Sequence, residues 1–524
     1  MTVPEQLDLD DHSRAVVVNN TVPATLQTAL LLVRTVGCSK EFWPLAVALR
    51  DSHRYRCIIV LGREVLQWKV LVPRIVQRYQ DGGFRVLDGN GRLLTHQDHG
   101  DRQFAGRKRS VSLVGRGIAI LKALRSHVRT SYVFQIIGLA SVTEFISRFI
   151  GLQHDRRVAR RLLAHERACV VVIQECEHSL GLDAIVVKVA EEQGIPTVMI
   201  PGADHGLSPL GRLENYLLNG MADCVDLQRF SNRLTGALFS RWVQSYAGRR
   251  MLRYPAAEAL AGWCSGVISR DPWVCLPFVR KRAVLCQRAL ADIHQRQPIF
   301  TPTQLVVTGQ PILDSIYETW RRAPQSRQDI CAALELDPRK RLIVFTVPQL
   351  VPHRLITATE QRLFAELVVR IASEIPSTQI VVSLYWGADR STYQWMCEQY
   401  GAVIAEHIDV RQLVAVCDVF VCVRSSVVWT AIACQKPTLA IDFWNIGPVP
   451  FYNCPGLQVI TRREDFPGAL SRLLADDTWY DHVVEQLRQA APMWASHFDG
   501  QATARTLAVI DELVSQAVSI EGYA

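Results

Sequence analysis

The chain has 524 residues, of which 49% are apolar and 21% charged, and its formal net charge at pH 7 is +8. This length and composition are sufficient for two large α/β domains that each bury a full core. The acidic N-terminus lacks the apolar core of a secretory signal, and no run of about 20 uncharged apolar residues predicts a membrane span. We therefore expect a cytoplasmic protein.

The 14 cysteines are scattered, without a CxxC motif or a Cys/His array at metal-ligand spacing. Several of them, such as Cys57, Cys169, Cys417 and Cys422, stand within apolar runs. This pattern is typical of buried thiols in a reducing compartment rather than of disulfides or a zinc site. We expect neither a metal ion nor a cofactor.

In the first half of the chain, short apolar runs alternate with helix-length segments, as is typical of buried parallel strands in βαβ units. A turn-rich segment at residues 81–91 predicts a hairpin, and the Arg-rich residues 210–263 predict mostly helix. The predicted strands cover residues 28–36, 56–61 and 168–173, with a further strand and loop within 194–206, and the predicted helices cover residues 40–50 and 64–79 and a segment ending at residue 193.

Residues 102–129 carry eight lysines and arginines and no acidic residue. Directly after them, residues 131–152 have the pattern of an amphipathic, aromatic-bearing helix. Such a combination can dock peripherally on an anionic membrane. The alternative is a core helix preceded by a solvated basic loop. Nucleic-acid binding is not expected, because no recognised motif or aromatic platform accompanies the charges.

Candidate acid–base residues follow two of the predicted strands of the first half. Ligands of an open parallel sheet gather outside the carboxyl ends of its strands, which places these residues at one edge. His205 is the first candidate for a catalytic base, since a histidine titrates near neutral pH, and Asp204 beside it would orient the ring. Glu175 is the competing carboxylate. A structural role remains the alternative for each of them.

The second half continues the alternation, with predicted strands at residues 341–347 and 378–384 and a helix at 359–373 between them. Residues 403–442 are the most informative segment. They predict a strand, a helix at 410–416, a buried strand at 419–423, a turn, a second helix and a final strand at 437–441. The tail from residue 463 to 517 predicts helices.

The turn Arg424-Ser425-Ser426 lies between a predicted strand and a predicted helix. Free backbone N–H groups at that position favour an anion, for which a phosphate is the natural candidate. Arg424 could add a bidentate contact, or it could close the sheet edge with an ion pair. The two serines could instead serve only as a helix N-cap. Asp442, which ends the next strand, could contact sugar hydroxyls or simply form a turn.

This segment resembles the nucleotide-sugar half of GT-B glycosyltransferases and of the related UDP-N-acetylglucosamine 2-epimerases. In those proteins a small-residue turn, a helix and a K-P-x-hydrophobic run hold the donor diphosphate. Gly309, Pro311 and Asp314 also match the family's VTGNPxxD element, although Gln310 replaces its Asn. His353 and Arg354 resemble, with a displacement of several residues, the T-x-H-R-R-E-N loop of the epimerases.

The resemblance implies an α/β fold of two Rossmann-like domains that face each other across a cleft. We expect an acceptor-side domain at residues 1–300, with a basic and helical insertion at about 100–165, and a nucleotide-sugar domain with closing helices at 301–524. Many members of this fold carry a ribose-binding Glu after the turn, whereas this chain has Trp429 or Thr430 there. The implied donor- and phosphate-binding residues are Arg424, Ser425, Ser426, Gly309, His353, Arg354 and Asp442.

Three functions follow from these observations. The first is transfer of a sugar, or a sugar or polyol phosphate, from a nucleotide sugar to a lipid-linked or polysaccharide acceptor in surface glycan biosynthesis. It needs no metal, because backbone N–H groups and basic side chains would stabilise the leaving diphosphate. The second is a sugar-nucleotide 2-epimerase or hydrolase. The third is a non-catalytic member of the fold that acts as a scaffold in polysaccharide assembly.

Overall fold

The computed structural model describes residues 26–34, 36–66, 71–95, 139–174, 180–202, 225–246, 249–268, 272–273, 279–296, 300–352, 355–385, 388–423, 425–444 and 450–521. Its strands are β1 (Gln27–Val33), β2 (Tyr55–Leu61), β3 (Arg85–Asp88), β4 (Ala168–Gln174), β5 (Thr197–Ile200), β6 (Val225–Asp226), β7 (Val243–Tyr246), β8 (Arg249–Leu252), β9 (Lys281–Val284), β10 (Leu305–Val307), β11 (Arg341–Thr346), β12 (Thr378–Ser383), β13 (Val403–Ala405), β14 (Val419–Cys422), β15 (Thr438–Ile441) and β16 (Leu457–Ile460).

The described helices lie between and after these strands. They are α1 (Val36–Asp51), α2 (Arg63–Leu66), α3 (Val72–Asp81), α4 (Leu139–Glu166), α5 (Leu182–Glu192), α6 (Phe230–Leu238), α7 (Ala256–Cys264), α8 (Gln287–Arg296), α9 (Leu313–Arg321), α10 (Ala323–Ala333), α11 (Ala358–Glu374), α12 (Trp395–Tyr400), α13 (Val410–Val416), α14 (Val428–Ala433), α15 (Asp465–Ala475), α16 (Asp477–Trp494) and α17 (Ala502–Glu521). None of them combines the length and apolarity that a membrane span requires.

The first sheet has seven strands in the order β10-β9-β5-β4-β1-β2-β3, and every neighbouring pair runs parallel. Its central strands are buried on both faces, which explains their continuous apolar sequences. The chain runs outward from β1 to β3 and then returns beside β1 as β4. The sheet therefore has the alternation of a doubly wound, Rossmann-like domain.

The second sheet has six parallel strands in the order β13-β12-β11-β14-β15-β16. Counted within the domain, this is the order 3-2-1-4-5-6 that characterises Rossmann-type domains. The predicted helix at residues 410–416 and the buried strand after it both appear, as α13 and β14. The fold-class prediction of two Rossmann-like α/β domains is confirmed.

The prediction that residues 210–263 are mostly helical was wrong for the middle of that segment. A small antiparallel sheet in the order β6-β8-β7 lies there, with β6 before helix α6 and with β7 and β8 between α6 and α7. Strands β7 and β8 pair across the short connection at residues 247–248, so the pairing partner of each strand is local in sequence. The many arginines favoured the wrong prediction, because arginine is a good helix former.

The amphipathic pattern predicted at residues 131–152 falls partly on α4, whose described part begins at Leu139. Phe145 and Phe149 pack against the core, whereas Val142 is exposed. The basic stretch at residues 102–129 lies outside the described residues.

Two elements that follow the domain boundary expected near residue 300 pack with the first domain. Strand β10 is the edge strand of the first sheet, so that sheet extends to Val307. The last helix, α17, leaves the second domain and packs against the first. Its residues Val509, Ile510, Leu513 and Val514 join the core cluster formed by β1, β2 and α1.

Candidate functional site

The strand order of the second sheet identifies one edge as the place for a ligand. Strands β11 and β14 are neighbours, but the next strand after β11 is β12 on one side of this pair, and the next strand after β14 is β15 on the other side. Ligands of open α/β sheets bind outside the carboxyl ends of the strands at such a switch point. Residues 347–352 follow β11 there, and Ser425 and Ser426 lie in the turn after β14. The predicted phosphate-binding serines therefore lie at the switch point.

The turn after β14 is held by its own hydrogen bonds. The hydroxyl oxygen of Ser425 accepts the Val427 N–H at 3.3 Å, and the carbonyl oxygens of Ser425 and Ser426 accept the N–H groups of Val428 and Trp429 at 3.1 and 3.2 Å. Ser425 thus acts as a local cap, which was the structural alternative for this residue.

The backbone N–H groups of the two serines differ. Burial raises the pKa of the Cys422 thiol to about 12, and the Ser425 N–H, which is directed at its sulfur, lowers it. The Ser426 backbone N–H and hydroxyl have no hydrogen-bond partner in the part of the chain that the structure describes. Helix α14 has only six residues, so its dipole adds little. Ser426, rather than Ser425, is therefore the group positioned to bind an anion.

Asp442 lies at the same edge, one strand further along. Strand β15 pairs with β14 in a register that sets Ala440 beside Cys422, so the chain leaves both strands side by side. Asp442 is buried, and its backbone N–H donates to the Ile460 carbonyl at 2.9 Å. Asp442 therefore follows a strand end at the same edge of the sheet as the serine turn.

Trp429 occupies the position at which the resemblance would place a ribose-binding Glu. Its side chain is 3% exposed, and its ring centroid lies 6.0 Å from that of Trp494 and 6.3 Å from that of Phe451. The first turn of α14 therefore points an aromatic ring into the protein, and the ribose carboxylate of the family has no equivalent on this helix.

The element containing Gly309 and Asp314 has a structural role in this chain. Gly309 has φ +79°, and a Cβ atom on it would lie 3.0 Å from the Cβ of Ala502. The two carboxylate oxygens of Asp314 accept the N–H groups of Ala502 and Thr503 at 2.9 and 2.8 Å. This part of the motif therefore packs against the first turn of α17 and accepts hydrogen bonds from it. Gly309 also lines a small cavity together with Trp429.

At the facing edge of the first domain, sequence reasoning missed a buried ion pair. Glu41 of α1 accepts a hydrogen bond from Arg411 of α13 at 3.0 Å, and the two side chains are 5% and 15% exposed. Lys40 lies 3.5 Å from Asp409, the residue that caps α13 by accepting the Arg411 N–H. The contact therefore joins the helix after β1 to the helix after β13.

Burial raises the pKa of Glu41 to about 7, although Arg411 lowers it. The second carboxylate oxygen of Glu41 has no partner in the described structure. The available signal was weak: a single acidic residue, Glu41, between residues of the buried face of the helix such as Cys38, Phe42 and Leu45. Its partner is 370 residues away, so spacing could not identify it.

Six of the predicted site residues lie outside the described residues: His205, Asp204, Glu175, Arg424, His353 and Arg354. The strands that precede them are described. β4 ends at Gln174 and β5 ends at Ile200, both at the carboxyl edge of the first sheet, and β4 flanks the switch point between β1 and β4. Across the described ranges, no group of three His, Cys, Asp or Glu side chains could hold a metal ion.

No protein-family profile matches this chain, and neither does any curated protein sequence. Similar solved structures include a proposed UDP-N-acetylglucosamine 2-epimerase from Listeria monocytogenes, which is 13% identical with a TM-score of 0.50, over 93% of this chain and 96% of that one. Another is the UDP-GlcNAc 2-epimerase from Neisseria meningitidis bound to UDP-GlcNAc, which is 10% identical with a TM-score of 0.50, over 94% of this chain and 100% of that one. These likenesses extend over both domains, and the predicted GT-B-like fold is confirmed.

Proposed function

We propose that the chain is a metal-independent transferase of the GT-B type. It moves a sugar, or a sugar or polyol phosphate, from a nucleotide-activated donor to a lipid-linked or polysaccharide acceptor. One observation carries the proposal: the strand order of the second sheet sets the Ser425–Ser426 turn, with its free Ser426 N–H, at the switch point. The fold is shared with a protein solved with UDP-GlcNAc bound, which makes nucleotide sugars the first ligands to test.

In this proposal, the Ser426 N–H donates to a diphosphate oxygen of the donor. If a sugar or polyol phosphate is transferred, the phosphoanhydride bond of the donor breaks, a phosphorus–oxygen bond forms to the acceptor, and the nucleoside monophosphate leaves. In sugar transfer, the bond between the anomeric carbon and the diphosphate breaks, and a new bond forms between that carbon and the acceptor oxygen. Negative charge then grows on the leaving diphosphate, where fixed N–H donors stabilise the transition state more than the ground state. The acceptor proton passes to a base of the first domain, for which His205 with Asp204, or else Glu175, stays the prediction.

The first experiment is a thermal-shift screen of the purified chain against UDP-, GDP-, CMP-, CDP- and TDP-sugars. A ligand that binds only the native state adds about 2.7 kcal/mol to the free energy of unfolding at 100 times its dissociation constant. We expect one nucleotide family to raise the melting temperature. If a well-folded sample responds to none of them, the proposed donor class is wrong.

The substitution Ser426→Asp tests the site itself. A carboxylate just before a helix is compatible with the fold, but it would repel a bound diphosphate. Like charges about 4 Å apart near a protein surface repel by a few kcal/mol, so we expect nucleotide affinity to fall at least about tenfold. Ser426→Ala keeps the backbone N–H and is the matched control, with affinity close to that of the unaltered protein. Equal affinities of the Asp and Ala variants would contradict the site.

A non-catalytic scaffold is the second candidate function, because the buried Trp429 replaces the carboxylate that the family uses for ribose. It predicts a folded protein that binds none of the nucleotide sugars. A 2-epimerase or hydrolase would bind a donor but convert it without an acceptor. Product analysis after incubation with the bound nucleotide sugar alone therefore separates that reaction from transfer.

A further inference from the structure

Helix α6 of the first domain is amphipathic, but its polar face is buried and its apolar face is exposed. The residues of its buried face are small or polar: Asn232, Thr235 and Gly236. Phe230, Leu234 and Leu238, spaced four residues apart along one face, are 67%, 50% and 70% exposed. A surface helix of a globular protein normally turns its large apolar residues inward. This helix presents them to the outside.

The inner contacts of α6 fix this orientation. The Asn232 amide donates to the Asp226 carbonyl at 3.0 Å, and its side-chain oxygen accepts the Ala256 N–H at 3.0 Å. A Cβ atom on Gly236 would lie 3.0 Å from a methyl carbon of Val243. Rotating the helix to bury its leucines would break both hydrogen bonds and bring large side chains against β7. The outward face is therefore built into the fold.

The apolar surface continues onto the neighbouring helix α7. Trp263 is 48% exposed, and its ring lies edge-on to Phe239 with 5.3 Å between the ring centroids. Phe239 in turn stacks on the buried Trp242 with 4.2 Å between centroids. Trp263 is thus held in place at the end of α6. We call the surface of Phe230, Leu234, Leu238 and Trp263 the apolar face.

Basic residues flank the apolar face in the sequence. Arg229, Arg233 and Arg241 are exposed, and none forms an ion pair with a carboxylate of the described residues. Between residues 225 and 268 the chain has six arginines and two acidic residues. Of these two, Glu258 is paired with Arg148 at 2.9 Å. The surface therefore combines exposed aromatic and leucine side chains with uncompensated positive charge.

We propose that the apolar face docks on an anionic lipid bilayer. Leucine and aromatic side chains enter the boundary between headgroups and acyl chains, and the flanking arginines bind lipid phosphates. A second copy of the chain is a poorer occupant, because it would bring the same arginines together. The proposal goes beyond the proposed transferase activity, and neither depends on the other. It concerns a part of the chain different from the basic stretch at residues 102–129.

The test is flotation of the full chain with vesicles of phosphatidylcholine alone and of phosphatidylcholine with phosphatidylglycerol. We expect binding only to the anionic vesicles. Replacing Phe230, Leu234 and Leu238 by serine should lower the bound fraction at least about tenfold. The matched control replaces Leu363 and Met493, which are 52% and 49% exposed elsewhere, and should bind as the unaltered chain does. Arg229→Gln with Arg233→Gln should weaken binding and its dependence on anionic lipid.

Several results would overturn the proposal. The unaltered chain could fail to float, or the control pair could lower binding as much as the triple variant does. Hydrogen exchange of residues 230–238 could stay unchanged when vesicles are added. A markedly lower melting temperature of the triple variant would show that another part of the chain covers this face. If light scattering gave the triple variant a lower molar mass than the unaltered chain, a second copy of the chain would be the partner that covers this face. Vesicle binding without any nucleotide response would leave this proposal standing and contradict the proposed function.

Discussion

Among the described contacts between the halves of the molecule, two differ in their chemistry. Helix α17 returns from the second domain and buries four aliphatic side chains in the core of the first. On the cleft side, the contact is the ion pair of Glu41 and Arg411, with one carboxylate oxygen unpaired. Apolar burial is non-directional and strongly favourable, whereas a buried ion pair recovers little beyond its own desolvation. We therefore expect the cleft to open at the ion pair while α17 stays attached.

The largest effect should come from breaking the apolar contact. Ile510 of α17 is fully buried against the first domain. Replacing a buried isoleucine by alanine removes apolar burial and leaves a cavity, which costs about 2–5 kcal/mol of unfolding free energy. We expect Ile510→Ala to fall in that range in denaturant titration. The exposed Glu512 on the same helix is the control, and Glu512→Ala should change stability by no more than about 0.5 kcal/mol. A loss below about 1 kcal/mol for Ile510→Ala would contradict a permanent attachment.

The ion pair should respond to pH. Because burial holds the pKa of Glu41 at about 7 in the folded protein, the native state binds this proton more tightly than the unfolded chain, in which the pKa is near 4.5. The stability that Glu41 contributes is therefore complete below about pH 4.5 and is lost as the pH rises to about 7. At 1.36 kcal/mol per unit, the loss is about 3 kcal/mol. Between pH 4.5 and pH 8, the unfolding free energy of the unaltered protein should therefore fall by about 3 kcal/mol relative to that of Glu41→Gln.

The subtraction between the two proteins isolates Glu41. Arg411, Asp409 and Lys40 are present in both, so the difference in unfolding free energy reports the Glu41 carboxyl group together with its coupling to Asp409. Asp409 titrates in the opposite sense, since Arg411 and Lys40 together lower its pKa despite burial. Glu398→Gln, which makes the same substitution at an exposed residue, is the matched control for folding and expression. A constant difference between Glu41→Gln and the unaltered protein would mean that Glu41 is charged throughout and that the contact is an ordinary salt bridge.

The apolar contact and the ion pair also differ in how far the sequence reveals them. Buried parallel strands such as β4 and β14 are continuous apolar runs, and the helix α13 begins at the capping Asp409, so local pattern was sufficient for both. The helices of the tail were predicted, but the docking of α17 on the first domain was not. The sequence of an apolar helix face does not indicate which part of the protein it packs against.

The placement of the serine turn and Asp442 in the fold was predictable to the same degree, whereas their role in binding stays a prediction. The serine turn and Asp442 follow strands, and the parallel sheet brings strand ends together. The turn conformation, which composition does not determine, directs the Ser425 N–H at the Cys422 sulfur and leaves the Ser426 N–H without a partner among the described residues. The reversed polarity of α6 was also hidden, because a periodic pattern shows that a helix has two faces but not which one is buried.

The smallest effect concerns Asp314, which belongs to the apolar contact although it matches a family motif for the donor domain. Its carboxylate accepts two N–H groups at the start of α17, so it caps that helix from another one. Loss of such a cap costs about 1–2 kcal/mol, and we expect Asp314→Ala to lower the unfolding free energy by that amount. Asp314→Asn keeps one acceptor oxygen and should lose about half as much.

Nucleotide affinity decides between the two roles of Asp314. If the carboxylate serves only α17, both variants keep the dissociation constant of the unaltered protein for whichever nucleotide sugar binds, because their effect is confined to stability. A dissociation constant raised about tenfold in the stably folded Asp314→Asn variant would place this carboxylate in the donor site instead. In that case the start of α17 would be part of the site, and the attachment of the last helix would be coupled to donor binding rather than independent of it.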